Sequence, residues 1–289
     1  MEHSNTPLRY PGGKGKLTSF LKLIFEENDL LDGHYAEAYA GGAGIAVNLL
    51  LHGYASCVHL NDINKTVFAF WHSVINSSEE LCKKIRDTKV TIKEWQKQFV
   101  IHRAPDEHSL LDLGFSTFFL NRTNRSGILT GGVIGGLNQE GAWKIDARYN
   151  KVALCKRIEK IALYRTRVRL YNLDAAAFII GVIPSLPDKS LVYLDPPYYV
   201  KSKRLYRNFY KHNDHAAVAK LVTKKITKPW IVSYDYAPEI LKVYDGCPSL
   251  MYGMNYSAGT NRHKGCEAMF FSEGLSVPDV ENPAKLKAA

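Results

Sequence analysis

One short segment near the N-terminus restricts the fold of this chain strongly. Residues 34–40 predict a strand, Gly41-Gly42-Ala43-Gly44 predicts a tight turn, and the apolar residues 45–51 predict a helix. Further strands are predicted at 57–60, 191–194 and 230–233, a helix at 214–225, and a late hairpin strand at 267–271. Strands that alternate with helices indicate an α/β fold, with a mainly parallel sheet covered by helices on both faces.

Polar residues and glycines follow three of these strands. The glycine loop follows the first, Asp62 follows the second and Asp195 follows the strand at 191–194. Ligands of such sheets bind beyond the carboxyl ends of the strands, so we expect the three features to meet in one crevice. Asp62 lies about 20 residues after the loop, a spacing at which an acidic residue reaches ribose hydroxyls. The pattern predicts a nucleoside cofactor, although the GxGxxG and P-loop motifs are missing.

Asp195-Pro196-Pro197-Tyr198 is the strongest chemical signal. Two prolines remove two backbone donors and hold the chain extended, while their carbonyls remain acceptors. The Asp195 carboxylate and the Pro196 carbonyl can fix both N–H bonds of an aromatic amine, which orients its lone pair without a metal or a covalent intermediate. Tyr198 can offer a stacking face. In isolation the same residues could also be a plain turn that ends a strand.

Charge and composition favour an anionic partner inside the cell. The 289 residues carry a formal net charge of +10, which suits a phosphate-rich partner but is also compatible with a basic, solvated surface. Five widely spaced cysteines without a CxxC pair predict reduced thiols and no metal site. Since no stretch predicts a signal peptide or a membrane span, we expect a cytoplasmic protein.

The alternation of strands and helices breaks down in the middle of the chain. Residues 66–150 predict a helical, then loop-rich insert, whose glycines at 131–136 could form a recognition hairpin or merely a flexible one. The catalytic domain is then discontinuous, comprising residues 1–65 and 151–275. The tail at 276–289 is expected to be poorly ordered.

Four motifs, in this order, resemble those of the Dam-type adenine-N6 DNA methyltransferases: Tyr10-Pro11-Gly12-Gly13-Lys14, Glu37-Ala38-Tyr39-Ala40-Gly41-Gly42, Asn61-Asp62-Ile63-Asn64 and Asp195-Pro196-Pro197-Tyr198. The resemblance implies a Rossmann-like, S-adenosylmethionine-dependent methyltransferase fold with an inserted target-recognition domain. It also implies methyl transfer to adenine N6 in double-stranded DNA, with the base flipped out of the duplex. The chain departs from the members that methylate GATC at Arg125-Ser126-Gly127-Ile128, so the recognised sequence stays open.

These motifs assign candidate residues to three groups. Asp195, Pro196, Pro197 and Tyr198 are expected to act on adenine. The predicted S-adenosylmethionine-binding residues are Tyr10, Lys14, Glu37, Tyr39, Gly41, Asp62, Asp174 and Asp195, with Lys14 paired to the methionine carboxylate. The predicted DNA-binding residues are Arg122, Arg125, Asn138 and Lys144 in the insert, and Lys201, Lys203, Arg204 and Arg207 in a basic segment that could also be a solvated face.

Two other functions remain compatible with the sequence. An RNA adenine-N6 methyltransferase could use the same chemistry on a splayed base. A DNA-binding regulator could keep the fold without turnover, although the complete catalytic motif and Lys14 disfavour it. The sequence also leaves open whether a cognate restriction endonuclease is a partner.

Overall fold

The computed structural model describes residues 5–9, 13–199, 210–258 and 261–286. Its centre is a seven-stranded sheet with the order β3-β2-β1-β4-β5-β7-β6. The strands are β1 Gly33–Glu37, β2 Ala55–Asn61, β3 Val168–Tyr171, β4 Ser190–Leu194, β5 Trp230–Asp235, β6 Ser249–Ala258 and β7 Asn261–Phe271. The first five strands pair in parallel, whereas β7 runs antiparallel to both β5 and β6.

Helices connect the strands and cover the sheet. They are α1 Thr18–Glu27, α2 Gly44–Leu51, α3 Lys65–Asn76, α4 Ser78–Asp87, α5 Ile92–Arg103, α6 Leu110–Thr123, α7 Lys151–Ala162, α8 Ala175–Gly181, α9 His212–Lys225 and α10 Pro238–Val243. Every residue of β4 and of β5 is buried, as expected for strands with helices on both faces. Two hydrophobic clusters pack against the sheet, one of them joining α1 to β1 and the other joining α8 and α9 to β4 and β5.

The order of the strands reverses between β1 and β4, which are neighbours in the sheet. In a sheet of this Rossmann-like type, a crevice opens at such a switch point, beyond the carboxyl ends of the strands. The α/β prediction is therefore confirmed. The predicted first strand, 34–40, ends already at Glu37, and the chain then turns through Gly41 and Ala43, which have φ values of 46° and 44°. Helix α2 begins directly after this left-handed turn.

The predicted insert shares its hydrophobic core with the catalytic part. Val67, Phe70 and Phe118 are fully buried in the same cluster as Leu21 and Tyr35. After α6 the chain forms turns up to Asn150, with an isolated bridge between Asn124 and Val133. The helical first half and loop-rich second half match the expectation. The domain boundaries at 65 and 150 stay a prediction.

The C-terminal tail differs from the expectation of poor order over its described part. The Asn28 side chain donates to the Ser276 carbonyl and accepts from the Ser276 N–H, at 2.8 Å each. Asn282 donates to the Gly253 carbonyl over 3.0 Å, and Val277, Val280 and Leu286 pack against the core. Spaced apolar residues therefore anchor a segment that its prolines and low apolar content had suggested to be loose. Among the described residues no helix is long and apolar enough to cross a bilayer.

Candidate active site

The glycine loop and Asp62 lie in direct contact. The Gly41 N–H donates to Asp62 Oδ2 over 2.9 Å, and the Asn64 N–H donates to Oδ1 over 2.9 Å. The Trp71 indole N–H donates to the Gly41 carbonyl over 2.9 Å and holds the loop from its other side. Since β2, β1 and β4 are neighbours, Asp62, the glycine loop and Asp195 lie at one edge of the sheet, as the sequence predicted.

The end of β2 offers both polar and apolar groups to a ligand. Burial raises the pKa of Asp62 to about 6, against the hydrogen bonds from Asn64 and Gly41, which lower it. Beside it, the side chains of Ile63 and Leu173 are 50% and 37% exposed. Asn61 fixes Leu173 by accepting from its N–H over 3.0 Å and donating to its carbonyl over 3.1 Å. A carboxylate next to exposed apolar side chains suits a ribose and a base, so the residues fit a nucleoside.

The carboxylate of Asp195 is held by one of its oxygens. Asp195 Oδ1 accepts from Lys14 Nζ over 2.7 Å and from Ser233 Oγ over 3.0 Å. The Tyr193 hydroxyl lies 2.8 Å from Ser233 Oγ and holds that side chain in turn. Among the described residues Oδ2 has no hydrogen-bond donor, and the side chain is 20% exposed. The second oxygen therefore remains available as an acceptor at the surface of the crevice.

Lys14 and Glu267 form the buried floor of the site. The Lys14 side chain is 2% exposed, and its Nζ lies 3.6 Å from Glu267 Oε2, while the Glu267 side chain is fully buried. Glu267 also accepts from the hydroxyls of Tyr198, over 3.0 Å, and Tyr252, over 2.6 Å. One cation thus faces two carboxylates. If all three groups are ionised, the cluster carries a formal charge of −1.

The pKa values of this cluster follow from burial and from its charges. Burial alone would lower the pKa of Lys14, but Asp195 and Glu267 hold it well above its usual value. Burial raises the pKa of Asp195, and Lys14 opposes this shift while Glu267 adds to it. Lys14 is therefore charged at neutral pH. It stabilises the ionised form of Asp195, which is the form that accepts hydrogen bonds.

Tyr198 does not present a face to the crevice in this structure. Its side chain is 1% exposed, and Lys14 Nζ lies 4.8 Å from its ring centroid. The hydroxyl lies 3.1 Å from Lys14 Nζ as well as near Glu267. The sequence-based expectation of an open stacking face is not met in this conformation, because the hydroxyl is drawn towards the buried charges. The sequence could not show the direction of this side chain.

The backbone after Asp195 is anchored from β5. The Tyr199 N–H donates to Asp235 Oδ1 over 2.8 Å, and Asp235 is buried at the end of that strand. Pro196 is buried and Pro197 is partly exposed. The Pro196 carbonyl accepts no hydrogen bond from the part of the chain that the structure describes. This segment therefore keeps a backbone acceptor next to the free oxygen of Asp195.

A comparison with protein-family models matched residues 10–256 to the family described as D12 class N6 adenine-specific DNA methyltransferase. The chain belongs to this family. This match confirms the resemblance to Dam-type enzymes, and the chain is therefore a methyltransferase. A comparison with curated protein sequences gave no match.

Solved structures with some similarity to this family member are also methyltransferases. A protein from Pyrococcus horikoshii described as an RNA methyltransferase has a TM-score of 0.42 and 10% identity, covering 89% of this chain and 83% of its own. The rRNA methyltransferase AviRa from Streptomyces viridochromogenes has a TM-score of 0.35 and 9% identity, covering 87% and 83%. Both TM-scores are low, so the family assignment rests on the sequence match alone.

The remaining predicted cofactor residues have separate surroundings. Glu37 is buried and accepts from the Tyr35 hydroxyl over 3.1 Å and from the Ala46 N–H over 3.3 Å. Burial raises its pKa to about 8 despite both donors. The Tyr39 hydroxyl lies 3.1 Å from that of Tyr210, at the glycine loop. Asp174 is exposed beyond the end of β3 and caps α8 by accepting from the Ala176 N–H over 2.8 Å. Tyr10 lies outside the described residues.

Some of the predicted DNA-binding side chains are exposed, whereas others form hydrogen bonds within the chain. Arg125, Asn138 and Lys144 are exposed on the turns after α6, although Lys144 Nζ donates to the Gln139 carbonyl over 2.6 Å. Arg122 is only partly exposed, and its Nε donates to the Arg148 carbonyl over 2.8 Å. The sequence analysis placed Arg122 among the DNA-binding residues, but part of its guanidinium is already used in a hydrogen bond within the chain. Four predicted residues lie outside the described residues: Lys201, Lys203, Arg204 and Arg207.

Two side chains of the site were missed by the sequence analysis. Glu267 and Ser233 meet Lys14 and Asp195 only because β7 pairs with β5 and β5 pairs with β4. The signal that could have found Glu267 is a lone acidic residue at the start of an apolar strand. A charge there is buried, and a buried charge needs a partner.

A group of potential metal ligands lies away from the crevice. The ligand atoms of His34, Cys57 and His59 lie within 4.8 Å of one another. His59 Nε2 is 3.0 Å from His34 Nδ1, and His59 Nδ1 is 3.0 Å from the Tyr171 hydroxyl. Burial, His34 and Arg169 lower the pKa of His59 to about 4. Hydrogen bonds link His34, His59 and Tyr171 in this group, and the absence of a metal site stays a prediction.

Proposed function

We propose that this methyltransferase transfers a methyl group from S-adenosylmethionine to N6 of adenine in double-stranded DNA. The observation that carries the proposal is the pair of acceptors at the end of β4. Asp195 Oδ2 and the Pro196 carbonyl are both without hydrogen-bond donors among the described residues, beside the crevice that fits a nucleoside. Two acceptors match the two N–H bonds of an exocyclic amine.

The cofactor assignment is supported by the groups around the glycine loop. When bound, S-adenosylmethionine supplies an electrophilic methyl group on a positively charged sulfur. Asp62 would accept from the ribose hydroxyls, because its carboxylate keeps lone pairs beyond those used by Gly41 and Asn64. Ile63 and Leu173 would cover the base. Lys14 Nζ already donates a hydrogen bond to Asp195. To pair with the methionine carboxylate as well, Lys14 would have to contact both carboxylates or exchange Asp195 for the cofactor.

The chain's own residues can orient the amine and stabilise its developing charge. A neutral aromatic amine is a poor acid, and Asp195 is proposed as an acceptor that fixes the N–H bonds, not as a base that first removes a proton. The nitrogen becomes acidic once it has gained a methyl group and a positive charge. With Asp195 and Glu267 both ionised, their cluster with Lys14 would carry a net negative charge that favours the cationic nitrogen, and a proton could then leave towards Asp195.

Duplex DNA is proposed as the substrate on the basis of the family and of the insert. Arg125, Asn138 and Lys144 are exposed there, together with Leu137 and Trp143, which are 59% and 67% exposed. Exposed basic, amide and aromatic side chains are the groups that contact phosphates and bases. Because N6 of a paired adenine is held in the stack, the base would have to be flipped out at a cost of a few kcal/mol.

A transfer assay with three substrates tests the proposal. Labelled methyl transfer is measured on genomic duplex DNA, on the same DNA made single-stranded and on total RNA. We expect incorporation into duplex DNA, N6-methyladenine on digestion of the product, and loss of incorporation in Asp195→Ala. Incorporation into RNA alone would identify an RNA methyltransferase. A protein that binds DNA but transfers no methyl to any substrate would identify a regulator.

A further inference from the structure

Four arginines come together where the N-terminal segment meets the insert, and we call Arg9, Arg122, Arg148 and Arg157 the arginine cluster. Arg122 Nε donates to the Arg148 carbonyl over 2.8 Å, and its Nη1 to the Pro7 carbonyl over 3.4 Å. Arg157 Nη1 donates to the Thr6 carbonyl over 3.3 Å. The members come from four separate stretches of chain, and so the cluster is created by the fold alone.

Among the described residues, no carboxylate pairs with the arginine cluster. Within the described ranges, none of its four side chains forms an ion pair with an acidic residue. Burial, together with Arg9, Arg157 and Arg148, lowers the pKa of Arg122 to about 10. Burial and Arg148 also lower the pKa of Arg9. Like charges gathered without a counterion repel one another, and a bound anion would relieve this repulsion.

The surroundings of the arginine cluster include space and an unused donor. Arg122 and Arg157 line a cavity of about 360 Å³ together with Asn150, Ala153 and Leu154. Nη1 of Arg9 is buried and has no hydrogen-bond partner in the described part of the chain. An unpaired buried donor is unfavourable, and a guanidinium donates readily to a phosphate through parallel N–H bonds.

We propose that the arginine cluster binds a phosphate of the DNA backbone, an inference that rests on the proposed function. Arg9 lies five residues before Lys14, so their Cα atoms are at most about 18 Å apart. At a rise of about 3.4 Å per nucleotide, that distance spans roughly five nucleotides. The Arg9 N–H donates to Asn121 Oδ1 over 2.7 Å, which ties this segment to the insert. A phosphate held here would set the register of the duplex relative to both the catalytic motif and the insert.

Two arginine variants and one matched control test the site. Arg148→Gln is the first variant, because Arg148 is exposed and its guanidinium only approaches the Trp143 ring, 5.7 Å from the centroid. Arg157→Gln is the second, with Arg157→Lys to restore the charge. Lys160→Gln is the control, because it removes one exposed charge from the same helix, α7. Circular dichroism and the unfolding midpoint confirm that each variant is folded.

DNA affinity is measured as a function of salt for a duplex that contains the methylated site and one that lacks it. Each phosphate contact contributes about 0.9 to the slope of log affinity against log salt. We expect Arg148→Gln and Arg157→Gln each to reduce the slope by about 1 and to weaken both duplexes equally, by about tenfold. Arg157→Lys should recover most of the loss, and Lys160→Gln should keep the slope of the unaltered chain.

The outcomes separate this proposal from the proposed function. Unchanged slopes in both glutamine variants, in a chain that methylates DNA, would overturn the phosphate site alone. A second experiment measures the binding of inorganic phosphate to the free protein by ³¹P NMR. If DNA fails to displace the bound phosphate, the phosphate site for DNA is also overturned, because the site would then bind a small anion instead. A chain that binds DNA with the expected slopes but methylates no DNA would overturn the proposed function and leave the phosphate site standing.

Discussion

Two lysine–aspartate pairs of equal length allow the contribution of the buried site to be measured. Lys14–Asp195 and Lys65–Asp106 both have a distance of 2.7 Å. The side chains of the first pair are 2% and 20% exposed, whereas those of the second are 41% and 85% exposed. Lys14→Met and Lys65→Met remove the same charge and keep an apolar stem. The two variants therefore differ mainly in burial.

The expected losses of stability differ by several-fold. Lys14→Met removes the cation that faces both Asp195, which is 20% exposed, and the fully buried Glu267, and removal of one partner from a buried pair costs about 3–5 kcal/mol. An exposed pair contributes about 0–1 kcal/mol. For a chain of this size 1 kcal/mol corresponds to about 2 °C in Tm. We therefore expect Lys14→Met to lower Tm by roughly 6–10 °C, and Lys65→Met by at most about 2 °C.

The loss in Lys14→Met should also depend on pH. Lys14 lowers the pKa of Asp195, so its removal raises that pKa further above the value in the unfolded chain. A group whose pKa is raised by folding stabilises the fold below its unfolded pKa and loses that contribution as pH rises through the folded one. The defect should therefore be larger at pH 8 than at pH 5. Thermal unfolding by circular dichroism at both pH values measures it, and equal losses in the two variants, or a defect that grows on acidification, would refute the reasoning.

Three further variants address the reaction itself. Asp195→Asn should reduce the rate of single-turnover methyl transfer by about 100- to 1,000-fold. The side-chain carbonyl would accept from Lys14 and Ser233, so the NH2 group would face the substrate amine. A rate near that of the unaltered chain would contradict this. Glu267→Gln removes a charge that raises the pKa of Asp195, so the acidic limb of the rate–pH profile should move to lower pH. A shift of that limb to higher pH would contradict the proposed effect of Glu267 on Asp195. Asp62→Asn should weaken S-adenosylmethionine binding by about tenfold to a hundredfold in calorimetry. In the unaltered chain the affinity for S-adenosylmethionine should fall as pH drops through about 6, where Asp62 becomes protonated. The control Asp106→Asn, which alters an exposed aspartate, should leave that affinity unchanged.

The fold and the crevice could be predicted because their signals are local. A glycine loop between a strand and a helix, and carboxylates directly after apolar strands, are visible in a few consecutive residues. The rule that parallel strands end at the same edge then brings Gly41, Asp62 and Asp195 together without knowledge of the sheet order. Strand ends differed by a few residues, as at Glu37, because the positive φ of Gly41 ends the regular backbone.

The inner part of the site could not be predicted because it depends on contacts between distant strands. Glu267 reaches Lys14 because β7 pairs with β5, and the predicted strand at 267–271 did not indicate which strand it would pair with. The direction of Tyr198 depends on this pair of charges, so the expected stacking face could not be corrected from sequence. Likewise, the hydrogen bond from Arg122 to the Arg148 carbonyl involves a turn without periodicity, and no local pattern predicts it.

The chemistry explains why a methyltransferase of this kind would keep one buried lysine in contact with two carboxylates. Lys14 holds Oδ1 of Asp195 in place, and this leaves Oδ2 as the only carboxylate oxygen of that residue without a donor among the described residues. Glu267 Oε2 lies 3.6 Å from Lys14 Nζ and, when ionised, adds negative charge to the cluster. The amine then meets an oriented acceptor in a negative environment, which favours the cationic nitrogen that methyl transfer creates. Lys14 alone would fix the position of the Asp195 carboxylate without a net negative charge. Glu267 alone would add negative charge without fixing that position.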